Sequence, residues 1–357
     1  MSVISKDKKT AIVLFNLGGP DSPEAVKPFL FNLFNDPYII GAPTPIRLML
    51  AKFISWRRTS VAKEIYSYMD GRSPILPQTE LQAQALEKKL KESGNVKTFI
   101  SMRYWHPMSP EVVQQVKDYD PDHIILLPLY PQLSSATTVS SLEDWEREAK
   151  EQGLEKPTSK ICCYPTNIGF VSAMAKKVQE KYFEASELGT PRVLFSAHGL
   201  PEKIINKGDP YQAQIERTVE AIVKILAIKG LDYRTCYQSR VGPLKWIGPS
   251  TDEVIIEACK DRVPIMVVPV AFVSEHSETL VELDIEYREL AEEHDMLSYH
   301  RVDTVQDDPH FIEGLAELCL QVTPATDLFV DEKEEICAKK FKYCPHVKLG
   351  CMEGKAA

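Results

Sequence analysis

No stretch of this chain approaches the ~18–20 consecutive apolar residues that a helix needs to cross a bilayer, so a membrane-spanning helix is not expected. The opening, MSVISKDKKTAIVLF, has lysines but no apolar run closed by a small-residue cleavage site, and its apolar residues read as a first strand. It is also too short for an Arg- and Ser-rich transit peptide, so the chain reads as cytoplasmic. A basic excess is missing as well. The 42 Lys and Arg stand against 51 Asp and Glu, and the net charge of -9 argues against nucleic acid as a partner and serves solubility. Cysteine is scarce: eight in 357 residues cannot make a disulfide scaffold and point to a reducing compartment. The glycine turn FNLGGPDSPEA follows a strand and opens a helix, yet it lacks both phosphate-loop spacings. A tight turn that lets the backbone approach a ligand is the better reading.

What is present describes a soluble α/β protein. Apolar residues make up 44% and charged residues 26%, and short β-rich runs alternate with longer helical patterns. Strands are predicted at 11–16, 97–102 and 123–129 in the first half, and at 192–197, 234–239 and 263–270 in the second. The halves echo each other in order. VLFNLGGP matches VLFSAHGLP, TFISMRYWHP resembles TCYQSRVGP, and IILLPLYPQLSS resembles IMVVPVAFVSE. Ser140 to Glu143 and Ser250 to Glu253 both read as capping boxes. The repeat implies two similar Rossmann-like domains with parallel sheets, 1–165 and 166–308, then a helix at 309–330 packing back on the first domain and an extension at 331–357. Two such sheets side by side leave a cleft at their strand ends, where ligands sit. Residues 29–60 are rich in large apolar side chains and read either as a core-facing helix or as an apolar lip around a flat ligand. As a lip they offer peripheral contact with a membrane surface through 29–56.

Two residues point to chemistry. His198 ends a strand at a turn whose counterpart, Leu17-Gly18, manages without a histidine. Gly199 and Pro201 suffice for the turn, so the imidazole is read as a metal ligand or proton acceptor rather than an inert strand end. In SEHSETLVELDIEYREL, helical spacing of 100° per residue puts Glu275, Glu278, Glu282, Glu286 and Glu289 within about 80° on one face. The distal glutamates read as a solvated face. Glu278, with His276 beside it, starts directly after a strand and is expected near His198, and such oxygen and imidazole donors suit Fe²⁺.

LFSAHGLPEKIINKGDPY, CYQSRVGP and FVSEHSETLVELDIEY closely resemble the ferrochelatases, which insert ferrous iron into protoporphyrin IX to complete haem; FNLGGP, GRSPI and RYWHP fit the same family, over residues 10 to 322. The resemblance implies a lyase with a porphyrin cleft between two Rossmann-like domains. His198 and Glu278 match the family's catalytic and iron-holding pair, and Glu282 continues its acidic row. Leu17, Arg58, Ser73, Arg103 and Tyr104 match positions that line the pocket or meet propionates, while Val61 departs from a lysine found in some relatives. Which of the pair holds iron stays open, and a homodimer is admitted by a sequence silent on oligomeric state. Cys236, Cys259 and Cys319 sit in apolar or helical patterns and read as core residues. Cys337, Cys344 and Cys351 recur every seven residues, without the close pairs of a structural zinc site, although His346 offers zinc a fourth ligand. Some ferrochelatases carry a 2Fe–2S cluster on three C-terminal cysteines and one from the first domain, so here the fourth ligand is expected to be Cys163, or alternatively Cys162.

Overall fold

The computed structural model describes residues 2–324 and 328–330. Nine strands appear among them: β1 Lys9–Asn16, β2 Asn95–Met102, β3 His123–Pro128, β4 Thr158–Cys163, β5 Arg192–His198, β6 Tyr233–Gln238, β7 Ile265–Pro269, β8 Tyr299–Arg301 and β9 Leu328–Val330. The chain folds as two compact units, Met1–Cys163 with Leu315–Val330, and Tyr164–Gly314. Each has a parallel sheet, ordered β2-β1-β3-β4-β9 in the first and β6-β5-β7-β8 in the second. The first four strands of each unit therefore follow one plan: first strand central, second on one side, third and fourth on the other. That is the α/β architecture read from the repeat. β4, β8 and β9 were not among the predicted strands. β4 is the mixed run TSKICC, and the other two have three residues each, too few for a periodic signal.

Helices cover the sheets: α1 Val26–Phe34, α2 Thr44–Ser67, α3 Ile75–Leu90, α4 Ser109–Tyr119, α5 Ser140–Glu151, α6 Ile168–Ala185, α7 Glu202–Asn206, α8 Tyr211–Leu226, α9 Thr251–Lys260, α10 Tyr287–Glu293 and α11 Pro309–Gln321. Because both faces are covered, central strands read as continuous apolar runs; Thr10 to Asn16 of β1 are all buried. In the first unit Val13, Phe15 and Leu126 pack against Val112 and Val116 of α4 and Trp145 of α5. In the second, Leu194 and Val267 pack against Val254 and Ala258 of α9 and Tyr287 and Ala291 of α10.

The capping box expected at α9 is present: Ser250 Oγ accepts the Glu253 N–H at 3.2 Å and the Glu253 carboxylate accepts the Ser250 N–H at 2.9 Å. The one expected at Ser140 is not. A π turn, Ser135–Val139, precedes α5, and Ser134 caps it, while the Ser140 hydroxyl is spent on Asp36. The 29–60 segment divides between core and surface. Phe29 and Leu30 of α1 are core, whereas α2 buries only Ala51, Ser55 and Tyr66 and leaves Met49, Phe53 and Trp56 exposed. No described helix is long and apolar enough to cross a membrane.

Candidate active site

β5, β6 and β7 end side by side, and their C-terminal ends carry the second unit's polar cluster. His198 is the last residue of β5. The next residue must be glycine: its N–H donates to the Gln238 carbonyl at 2.8 Å, and a Cβ there would lie 2.9 Å from that oxygen. The His198 Nδ1–H donates to the Gly199 carbonyl at 2.7 Å, which fixes the ring and leaves Nε2 with its lone pair. That Nε2 stands 3.5 Å from Glu278 Oε1, with the two side chains 37% and 33% exposed, so a ligand can reach both. Among the described residues no third His, Cys, Asp or Glu groups with them as a metal site.

Glu278 opens a π segment, Glu278–Glu286, which leads into α10. Backbone bonds there span five residues, as from the Tyr287 N–H to the Glu282 carbonyl. Of the five glutamates that helical spacing aligned, Glu278, Glu282 and Glu286 lie within this segment, while Glu275 precedes it and Glu289 belongs to α10. Glu275 lies before the segment, buried, where it accepts Arg301 Nη1 at 3.1 and 3.2 Å and the Thr304 N–H at 2.9 Å. Arg301 Nε also lies 3.2 Å from the Asp284 carboxylate, so one guanidinium pairs with a carboxylate before the segment and one within it. Glu286 and Glu289 are exposed. Glu282 turns toward the end of β6. Its Oε1 accepts the Ser239 N–H at 2.7 Å and the Tyr287 hydroxyl at 3.3 Å, and its Oε2 accepts the Ser239 hydroxyl at 2.6 Å and Gln238 Nε2 at 3.1 Å. Burial and the neighbouring Glu278 charge push the Glu282 acid upward against these donors. His276 accepts the Glu278 N–H on Nδ1 at 3.0 Å, so its proton sits on Nε2, which is buried without a hydrogen-bond partner. Burial lowers its pKa and keeps it neutral, against the pull of the Glu278 and Glu275 charges.

The residues expected at the pocket in the first unit fall into three places. Arg103 and Tyr104 belong to one buried network around Asp36: Arg103 Nη2 lies 3.0 Å from Asp36, its Nε donates to Ser140 at 2.7 Å, and Nη1 is 3.6 Å from Asp144. The Tyr104 hydroxyl donates to Asp36 at 2.9 Å. Leu17 immediately precedes the turn at Gly18, where φ is 79° and a Cβ would meet that of Met102 at 3.0 Å; the Leu17 carbonyl accepts the Tyr104 N–H. Ser73 is buried and donates its N–H to the Pro20 carbonyl at 2.7 Å. Arg58 is exposed on α2, over the Phe34 ring, with Val61 exposed beyond it. Cys162 and Cys163 are buried at the end of β4, whereas Cys337, Cys344 and Cys351 lie outside the described residues. Asp36, Gln238, Ser239 and Arg301 escaped the sequence reading, although Gln238 and Ser239 stand inside the CYQSRVGP run.

Residues 9–322 match the family model described as Ferrochelatase. The chain belongs to the ferrochelatase family. Proteins named ferrochelatase are similar to it over nearly their whole lengths. That of Wolbachia sp. subsp. Drosophila simulans is 53% identical over 316 residues, 88% of this chain and 99% of the relative. That of Pelagibacter ubique is 48% identical over 94% of this chain and 98% of its own. The Caulobacter vibrioides protein is 52% identical over 87% of this chain and 89% of its own. This ferrochelatase is thus a metal-chelating lyase of haem biosynthesis, with iron and a porphyrin as its substrates.

Proposed function

We propose that this ferrochelatase inserts Fe²⁺ into protoporphyrin IX, with His198 and Glu278 as the reacting pair. The supporting observation is the Nε2 lone pair of a ring pinned through Nδ1, set 3.5 Å from a carboxylate, both open to a ligand. Insertion exchanges Fe²⁺ for two pyrrole N–H protons. The neutral imidazole accepts the first on Nε2, and the adjacent carboxylate balances the imidazolium that forms. Glu278 holds the ferrous ion at the start. Once the iron has passed to the ring nitrogens, that carboxylate is free for the second proton. The purified enzyme, given Fe²⁺ anaerobically, is expected to metallate protoporphyrin at least about tenfold faster than coproporphyrin at equal concentration. The reverse order would move the reading to coproporphyrin, and no insertion into either would end it.

We infer further that the tail holds a 2Fe–2S cluster on Cys163, Cys337, Cys344 and Cys351. β9 pairs with β4 so that Val330 stands opposite Cys163. Cys337 follows Val330 by seven positions (337 − 330), a reach of up to ~25 Å. The register steps from Ile161–Phe329 to Cys163–Val330 and passes over Cys162. Held by these four cysteines, such a cluster would supply an oxidation-sensitive cross-link between the C-terminal segment and β4. Protein purified without air is expected to absorb across about 400–600 nm, to lose the band in Cys163→Ser and to keep it in Cys162→Ser. Colourless protein containing zinc would overturn the assignment.

A further inference from the structure

Glu282 lies four residues beyond Glu278 on the π segment, and an acidic side chain at that spacing invites a role in passing metal or protons. Its hydrogen bonds argue otherwise. A carboxylate offers about four lone-pair sites on two oxygens, and all four are taken: Ser239 N–H and Tyr287 hydroxyl on one oxygen, Ser239 hydroxyl and Gln238 amide on the other. None is left for a metal ion without breaking the set.

The donors are themselves held. Gln238 is fully buried; its Oε1 accepts the Ser196 hydroxyl at 2.9 Å, so the amide cannot turn over. Its Nε2 therefore faces the π segment, where it bonds both the Glu282 carboxylate and the backbone carbonyl of Glu278 at 3.1 Å. Ser239 has a φ of 61°, a left-handed conformation unusual for serine. That conformation turns its N–H and its hydroxyl onto the same carboxylate. Backbone strain next to a reacting group, repaid by two short bonds to one side chain, is a functional arrangement.

We propose that Ser239 and Gln238 are positioning residues: through Glu282 they anchor the π segment and so hold Glu278 against His198. This rests on the His198–Glu278 reading above. The decisive variant is Ser239→Gly, which keeps the backbone donor, removes the hydroxyl and relieves the left-handed strain, so its thermal midpoint should not fall. Its kcat for Fe²⁺ insertion into protoporphyrin is expected to drop about tenfold, the scale of one charge-assisted hydrogen bond, with porphyrin KM unchanged. In a Glu282→Ala background the same change should cost nothing more, since the residue acts through that carboxylate. Unchanged kcat in Ser239→Gly, or additive losses in the double variant, would overturn the proposal. So would a lower KM for Fe²⁺ with kcat held, because freeing the carboxylate would then have created a ligand. An inactive wild-type enzyme would instead sink the function itself, and this anchoring role with it.

Discussion

Replacing His198 with alanine is expected to lower iron insertion by about three orders of magnitude while leaving porphyrin affinity within about threefold of the wild type, since a positioned general base is worth 10²–10⁴ in rate. Only Nε2 faces Glu278 at the end of β5, and the backbone of the turn is held independently by the bond from the Gly199 N–H to the Gln238 carbonyl. The side chain is 37% exposed and fills no core, so the variant should fold with an unchanged thermal midpoint. Porphyrin binding, read by quenching of porphyrin fluorescence, separates loss of chemistry from loss of the ring. His198→Gln is the companion, restoring a polar group without a base; it should stay as slow as alanine. Turnover within about tenfold of wild type in either variant would remove the imidazole from the proton step.

Much of this architecture is legible in the chain because two-sided burial writes itself as continuous apolar runs. Ala11 to Phe15 and Val193 to Ala197 are strands by that signal alone, and their like sequences announce a repeat that the sheets bear out in strand order. The same logic fails for β8, three residues long, and for β4, whose polar Thr158 and Lys160 interrupt the run. The π segment is invisible for a different reason. A helical wheel assumes 100° per residue, and nothing in ETLVELDIE announces bonds that span five residues. Glu286 and Glu289 are exposed, as a solvated face requires, whereas Glu275, before the segment, is turned inward onto Arg301.

His198 was legible by contrast, because its duplicate turn works without it, and Glu278 by its position at the start of a helix after a strand. Their partners were not. Glu275 reads as one more acid in a row until Arg301, 26 residues on, claims it, and Glu282 until Ser239, 43 residues back, takes both its oxygens. Such pairings depend on which strand ends the topology makes neighbours, information that single-chain spacing does not hold. Arg103 shows the same limit. A basic residue in a pocket motif suggests a carboxylate ligand, and here the carboxylate beside it is the protein's own.

That carboxylate carries the second large effect. Asp36 has a fully buried side chain that meets Arg103 at 3.0 Å, accepts Tyr104 at 2.9 Å and the Tyr38 N–H at 2.7 Å, and is also bonded by Ser140. Asp36→Ala removes the anion and strands the Arg103 guanidinium, 15% exposed, with Asp144 at 3.6 Å as its remaining carboxylate. Breaking a buried pair from one side costs about 3–5 kcal/mol, because the surviving charge loses its partner and keeps its desolvation. Denaturant unfolding of Asp36→Ala should show a loss of that size. Arg103→Met in the same chain should recover a large part of it, since an apolar side chain there no longer demands a counter-charge. A loss below about 1 kcal/mol in Asp36→Ala would mean that Arg103 reaches solvent or Asp144 at little cost. In that case its charge is available to a substrate carboxylate, and Arg103 is a clamp rather than a brace.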